Sequence, residues 1–417
     1  CFSIPISLVP MIQDILGRFR PPASLASHGK SSPSRRSLLH AALFVAGGVI
    51  TGAFGWSGHP LAFAVGIAFP ALWAFAPSRT VAGLVALAHF LGASRGLPVG
   101  ASIFFGAQLA IGLGLWLAAS LMFVAVHAAL WTSRGGWRRP VRYATAAVLM
   151  SVPPFGIVGW AHPITAAGVL FPGWAWFGLA ATAALLLAMT TRIWPIAAGV
   201  AALAFAWSAS SWTPPVEPEG WRGIDTRFRF EQPGQYADYR QQVSTIRLVG
   251  AAAGDGARVA ILPESAVGLW SATTERLWTR ELSSLDIMVN GGAAIVDPVG
   301  YDNVMIGVSG KGAEILYSER MPVPVSMWQP WTTGGAHARF FANPVFEFAG
   351  LKVAPLICYE QLIIWPVIQS MLHAPDVIVA TGNAWWTGNT NIVAIQRSSA
   401  QAWASLFGLP LVMAFNE

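Results

Sequence analysis

A cysteine delivered by a strand to the start of a helix suits a nucleophile, and this chain has that arrangement at Leu351–Gln361, LKVAPLICYEQ. Alternating and β-branched apolar residues run up to Cys358. Polar Tyr359, Glu360 and Gln361 follow, and then a helical pattern over Leu362–Leu372. Free backbone N–H groups and the positive dipole end at a helix start favour thiolate over thiol. The other reading is a buried structural cysteine, and this stretch alone leaves both open. The second cysteine is residue 1, so no disulfide framework is indicated. His59, His89, His127 and His162 lack ligand-like spacing and read as interfacial or helix-packing residues, so no metal site is expected.

The elements that must hold Cys358 lie in the second half of the chain. After the linker TPPVEPEG, Thr213–Gly220, short β runs alternate with polar helices, which is an α/β texture. Strands are expected at Arg227–Glu231 and at Arg258–Leu262, which ends in Pro263-Glu264-Ser265. Another starts at Asp286–Val289, and a hairpin joins Val304–Val308 to Ala313–Tyr317 around Ser309–Gly312. Further strands fit Lys352–Ile357, Asp376–Ala380 and Leu409–Phe415, with helices at Tyr236–Val249 and Asn391–Leu406.

The first half is different. The chain is 54% hydrophobic and only 11% charged, with apolar runs too long for a soluble core, so this is a membrane protein. Seven spans are expected: Leu38–Trp56, Leu61–Ala76, Thr80–Ser94, Ala101–Trp131, Tyr143–Trp160, Ala167–Thr190 and Ile193–Trp212. With the N-terminus inside, the inner segments collect Arg18, Arg20, Lys30, Arg35 and Arg36, then Arg79, then Arg134, Arg138, Arg139 and Arg142, then Arg192. The outer loops hold only Arg95. That bias places everything after Trp212 outside the cytoplasm, which is the periplasm of a two-membrane bacterium. It also explains the net charge of +6 without direct nucleic-acid binding. The domains are therefore a 1–37 extension, a 38–212 membrane domain and a 213–417 α/β domain. Within the extension, Ile4–Phe19 reads as an interfacial helix and Pro21–Ser37 as disordered. Because the chain begins at Cys1 rather than Met, it reads as a fragment, a processed product or a mis-started one. A transporter built from the spans is disfavoured, because they carry almost no intramembrane ionisable residues apart from the histidines.

ILPES at 261–265, LICYEQ at 356–361 and GNAWWTGN at 382–389 resemble the three landmarks of the nitrilase (carbon–nitrogen hydrolase) superfamily. N-terminal spans leading into an outward-facing domain resemble its apolipoprotein N-acyltransferase branch. From GWSGHP at 55–60 to the C-terminus, the pattern is similar to the TraB family of conjugal transfer proteins within that branch. The resemblance implies an α-β-β-α nitrilase-like sandwich carrying a Glu-Lys-Cys site, with no cofactor. It matches Glu264 to the general base, Cys358 to the nucleophile and Glu360 to the acidic residue two places beyond it. A carboxylate would take the thiol proton, the thiolate would attack an amide or ester carbonyl, and water or an amine would resolve the thioester.

The match departs at the lysine. Its position falls on Glu319 in Tyr317–Pro324, and Arg320 is one residue off register, so on a strand it faces the other way unless a bulge re-aims it. A second family glutamate falls at Met327 and an aspartate at Asn383. The closing strands and C-terminal span usual in the N-acyltransferases do not follow Glu417, so either the chain is truncated or this branch is trimmed. Two functions are implied. One is a cysteine-dependent membrane amidase or N-acyltransferase assisting conjugative plasmid transfer. The other is a catalytically degenerate domain kept as an envelope binding or assembly component. The implied partners are membrane lipids, an acyl donor and other envelope or conjugation proteins.

Overall fold

The computed structural model describes residues 34–228 and 237–417. Ala41–Glu417 form one compact unit and Cys1–His40 a second, of which residues 34–40 are described. The expected interfacial helix at Ile4–Phe19 lies outside the described residues. So do most of Pro21–Ser37 and most of the expected strand at Arg227–Glu231.

The apolar half folds into α1 (Arg35–Gly55), α2 (Phe69–Ala74), α3 (Arg79–Ala93), α4 (Leu97–Phe104), α5 (Leu109–Leu130), α6 (Arg138–Leu149), α7 (Ala167–Leu170), α8 (Ala175–Met189) and α9 (Trp194–Ser211). The expectation of seven spans is corrected. Among the described residues, three helices, α1, α5 and α9, are long and apolar enough to cross a membrane, or four if the bent pair α3–α4 is one span. The 22 residues of α5 reach about 33 Å at about 1.5 Å per residue, enough for a hydrocarbon core. The shortfall elsewhere comes from breaks that hydropathy does not register. The fourth expected span splits at Phe105–Gln108, where Gly106 takes a φ of 55°. The fifth stops as a helix at Leu149, ahead of Pro153 and Pro154. The sixth is cut at Pro172-Gly173. Between α3 and α4 the axis turns by 57°.

Buried histidines in this half are packed and bonded. His89 joins Thr51 at 3.0 Å and the Ala161 carbonyl at 3.1 Å, and His127 reaches the Phe123 carbonyl at 2.8 Å.

The α/β half contains β1 (Trp221–Gly223), β2 (Val259–Ile261), β3 (Gly268–Leu269), β4 (Met288–Val296), β5 (Tyr301–Ser309), β6 (Gly312–Ser318), β7 (Phe346–Phe348), β8 (Leu351–Ile357), β9 (Val377–Asn383) and β10 (Leu411–Asn416). Its helices are α10 (Ala237–Gly254), α11 (Ala272–Leu282), α12 (Ile364–Met371) and α13 (Ile392–Phe407). One mixed sheet runs β1-β2-β4-β5-β6 with β3 on β4, and the other runs β10-β9-β8-β7.

Side-chain alternation along each strand sorts residues into layers. Val259 and Ile261 of β2 meet Val353, Ile357, Val377, Val379 and Val412 in one core between the sheets. Ala260 and Leu262, on the other face, pack with Val249 of α10 and with Trp278 and Leu282 of α11. Ala354, Leu356, Ile378 and Ala380 face α12 and α13. The layers are therefore helix, sheet, sheet, helix.

The outer helical layer continues directly into the membrane half. Trp403 and Leu406 of α13 share a core with Phe69, Ile164 and Leu170. At the closest approach, a Cβ on Gly168 would lie 1.7 Å from the Ala402 carbonyl oxygen. Gly168→Ala must push the backbones apart, an overpacking cost of about 1–3 kcal/mol. Gly199→Ala, in α9 with nothing near its Cβ, is the control. Thermal melting of the purified protein in detergent should show a lower midpoint for Gly168→Ala and no loss for Gly199→Ala. Equal midpoints would contradict the close contact.

Candidate active site

Strand β8 ends at Ile357, and Cys358 opens a four-residue turn, Cys358–Gln361, rather than a long helix. Its φ of 45° lies in the left-handed region, which a non-glycine residue holds only when its surroundings force it. Glu360 does the forcing. Its Oε2 accepts from the Ile357 N–H at 2.8 Å and its Oε1 from the Arg320 N–H at 2.7 Å and the Tyr317 hydroxyl at 2.5 Å. The Gln396 amide of α13 donates to Cys358 Sγ at 3.4 Å.

Glu264 follows β2 in Leu262-Pro263-Glu264, and the next residue, Ser265, also has a positive φ, 62°. Chain crossing here is tight, because a Cβ on Gly292 would sit 2.6 Å from the Glu264 Cα. The Glu264 Oε1 accepts from Asn303 Nδ2 at 2.9 Å and its Oε2 from the Asn383 N–H at 3.1 Å. Burial pushes its carboxyl up to about 7, against the opposing hydrogen bonds from Asn303, Cys358 and Asn383.

Glu319 lies just beyond β6 and is 1% exposed. Its Oε2 accepts from the same Asn303 Nδ2 at 2.8 Å, while its Oε1 is buried without a hydrogen-bond partner. Burial, reinforced by the charges of Glu264 and Glu360, holds this carboxyl well above the usual carboxylate range.

Burial, then the charges of Glu264 and Glu319, push the Cys358 thiol well above its ordinary value, against a resting thiolate. A four-residue turn has little dipole to oppose them. Arg320, off register in the sequence, is committed away from the sulfur. Its guanidinium donates to the Pro355 and Pro366 carbonyls, the Ser370 hydroxyl and the Tyr317 hydroxyl, and it pairs with Glu360 at 3.6 Å. The structure thus gathers Glu264, Glu319 and Cys358 at one point and places Glu360 with Arg320 behind them as their support.

Sequence reasoning missed Asn303 and Gln396. Asn303 had a signal, a polar residue in the apolar run of β5 that is 2% exposed. Gln396 had none, sitting in an ordinary amphipathic helix.

A cavity of about 610 Å³ opens on Cys358, Glu264, Tyr301 and Asn383. Its far wall is apolar and belongs to the membrane half: Ala101 and Phe104 of α4, and Leu115, Ala118 and Met122 of α5. Trp385 and Trp386, from the GNAWWTGN loop, line it between these ends. Among the described residues, no group of three or more His, Cys, Asp or Glu side chains is placed to hold a metal ion.

Known proteins give this geometry a family. The model for carbon–nitrogen hydrolases matches residues 107–405. The conjugal transfer protein TraB of Agrobacterium fabrum is 52% identical over 97% of this chain and 100% of its own length. A probable conjugal transfer protein TraB of Sinorhizobium fredii is 51% identical over 92% of this chain and 100% of its own. A nitrilase-superfamily amidase of Nesterenkonia superposes with a TM-score of 0.30 at 12% identity, covering 40% of this chain and 68% of that one. The match over most of the chain, with near-complete coverage of both TraB relatives, shows that this protein belongs to the carbon–nitrogen hydrolase family and, within it, to the TraB conjugal transfer proteins.

Proposed function

We propose that this protein is a membrane-bound thiol acyltransferase or amidase that works through a Cys358 thioester and assists conjugative plasmid transfer. The conjugative role rests on the names of its TraB relatives. The chemistry rests on one observation: a single cavity joins the Glu264–Cys358 pair to an apolar wall on α4 and α5. Ala118 and Met122 are also exposed on the outer surface of α5, so an acyl chain from the surrounding lipid has a route to the sulfur. Apolar walls with a few convergent polar groups are what acyl-binding sites need.

Glu264 takes the Cys358 proton as sulfur bonds to the carbonyl carbon, and the π electrons move to oxygen. The leaving group departs with the proton that Glu264 returns, leaving a thioester. An amine or water then attacks, gives its proton to Glu264, and releases the thiol. Acyl-X and HY become acyl-Y and HX.

A specific observation favours a second reading, a degenerate site. Glu319 stands at the lysine position, and the neighbouring Arg320 is turned away from the sulfur. A test is to mix full-length protein in detergent with p-nitrophenyl butyrate and weigh the Cys358 peptide. A stoichiometric nitrophenol burst and a butyryl adduct on Cys358, both lost in Cys358→Ala, are expected; neither in folded protein would establish the degenerate reading.

The pH dependence follows from Glu264. Below about 7 the base is protonated, so Cys358 alkylation should rise roughly tenfold per pH unit and level off above that point. Glu264→Gln should remove the step and slow alkylation about 100-fold. Identical profiles for the two proteins would exclude Glu264 as the base.

We further propose that the α/β domain faces the periplasm and the bundle sits in the inner membrane. Arg79 and Arg142 both reach the Trp131 carbonyl, and Arg139 lies 4.9 Å from the Phe75 ring, so basic residues gather at one end of α3, α5 and α6. The opposite end meets the α/β domain: Asn391 donates to the Trp56 carbonyl and Ser398 to the Gly58 carbonyl. Lys/Arg-rich ends stay in the cytoplasm. A Val216→Cys probe, with Cys1 and Cys358 removed, should react with an impermeant maleimide once the outer membrane is opened. Labelling only after lysis of the inner membrane would reverse the orientation.

A further inference from the structure

We propose that Glu319 acts as a neutral carboxylic acid, its Oε1–H donating a hydrogen bond to the acyl carbonyl oxygen as Cys358 adds to it. This rests on the acyl-transfer reading above and says how the site manages without a lysine.

Geometry carries the assignment. The Asn303 Nδ2 has two hydrogens and gives one to Glu264 Oε1 at 2.9 Å and one to Glu319 Oε2 at 2.8 Å. One amide thus clamps two buried carboxyl groups side by side. Two like charges so held in a dry interior do not both persist, so one group keeps a proton. Glu264 lines the cavity together with Cys358 and is the carboxylate placed to accept the thiol proton, and that assigns the retained proton to Glu319.

The remaining oxygen fits this. Glu319 Oε1 is buried and finds no partner in the protein. As part of a carboxylate it would be an acceptor stripped of water with nothing in exchange, which is costly. As the protonated oxygen of an acid it is a donor in need of an acceptor, and a substrate supplies one. The direction of the Glu319 shift agrees, and burial is its largest cause. The Asn303 amide that holds Glu319 also holds Glu264, which lines the cavity with Cys358 and Tyr301. A carboxylic acid kept neutral by an apolar site so that it can donate to a developing oxyanion is established chemistry in other enzymes.

Two reactions of the same sulfur separate this role from a structural one. Acylation by p-nitrophenyl butyrate passes through a tetrahedral oxyanion; alkylation by iodoacetamide does not. In full-length protein, Glu319→Ala should lower the acylation-to-alkylation ratio about 100-fold. Glu319→Gln keeps the shape and offers an amide donor, so its ratio should stay within about tenfold of wild type. It should also lose the alkaline decline in acylation that ionisation of Glu319 imposes on the wild type. An unchanged ratio in Glu319→Ala overturns the assignment while leaving the thioester reading intact. So does a Glu319→Gln ratio as low as that of Glu319→Ala. A wild type that never acylates Cys358 overturns the acyl-transfer reading, and this inference with it.

Discussion

Three buried carboxyl groups and one buried guanidinium share the interior beside Cys358, and that charge imbalance constrains the rest of the site. Burying an unpaired charge is expensive, whereas a paired and hydrogen-bonded one is tolerated. Arg320 and Glu360 take the paired solution. Both are 0% exposed, and between them they bind the Ile357 N–H, the Pro355 and Pro366 carbonyls and the Tyr317 hydroxyl. This fastens the end of β8 to the end of β6 and to α12, and holds Cys358 in its left-handed conformation. Among the described residues no second buried Lys or Arg pairs with Glu264 or Glu319. One retained proton and the Asn303 amide meet the constraint instead.

The membrane half is part of the same assembly. Tyr359, the residue after Cys358, donates to the Ile157 carbonyl at 2.7 Å. Helix α13 presents Gln396 to the sulfur and, a turn and a half further on, Ala402 to Gly168. The turn that carries Cys358 is therefore gripped from the membrane side, and the cavity walls come from both halves. A shift of α4 or α5 would alter the space in front of the thiol without touching the thiol's own bonds.

How much of this was legible in the sequence varied with the range of the interaction. Strands β5, β6, β8 and β9 and helix α13 were readable, because alternation and periodicity are local patterns and these elements obey them. The break at Gly106 was not, since mean apolarity continues straight through it. Cys358 and Glu264 stood out by motif. Two glutamates near the cysteine were legible too, but not the burial that is the largest influence against a thiolate there. Arg320 was read as off register for the sulfur, and the reason it stays there is tertiary: its partners at 355, 366 and 370 have already taken its donors. Asn303 was hidden for the same reason, its meaning appearing only once Glu264 and Glu319 flank it.

Replacing a lysine by a glutamate reverses a charge, yet the site can absorb the change. A lysine beside a base glutamate forms an ion pair, so the pair is neutral and the thiol meets an ionised base. A neutral Glu319 beside an ionised Glu264 leaves one net negative charge. Burial raises the base, and burial together with the Glu264 charge raises the thiol. A base that titrates at about 7 is a stronger proton acceptor than an ordinary glutamate, which suits a thiol that is itself harder to ionise. The two shifts run in the same direction, so the proton-transfer mismatch grows less than the thiol's shift alone would suggest. What the substitution gives up is a full positive charge facing the oxyanion, and a carboxylic acid O–H returns only a dipole in its place. Under the proposed acyl transfer, turnover is therefore slower than a lysine-bearing site would support and confined to pH values where Glu264 is ionised and Glu319 is not.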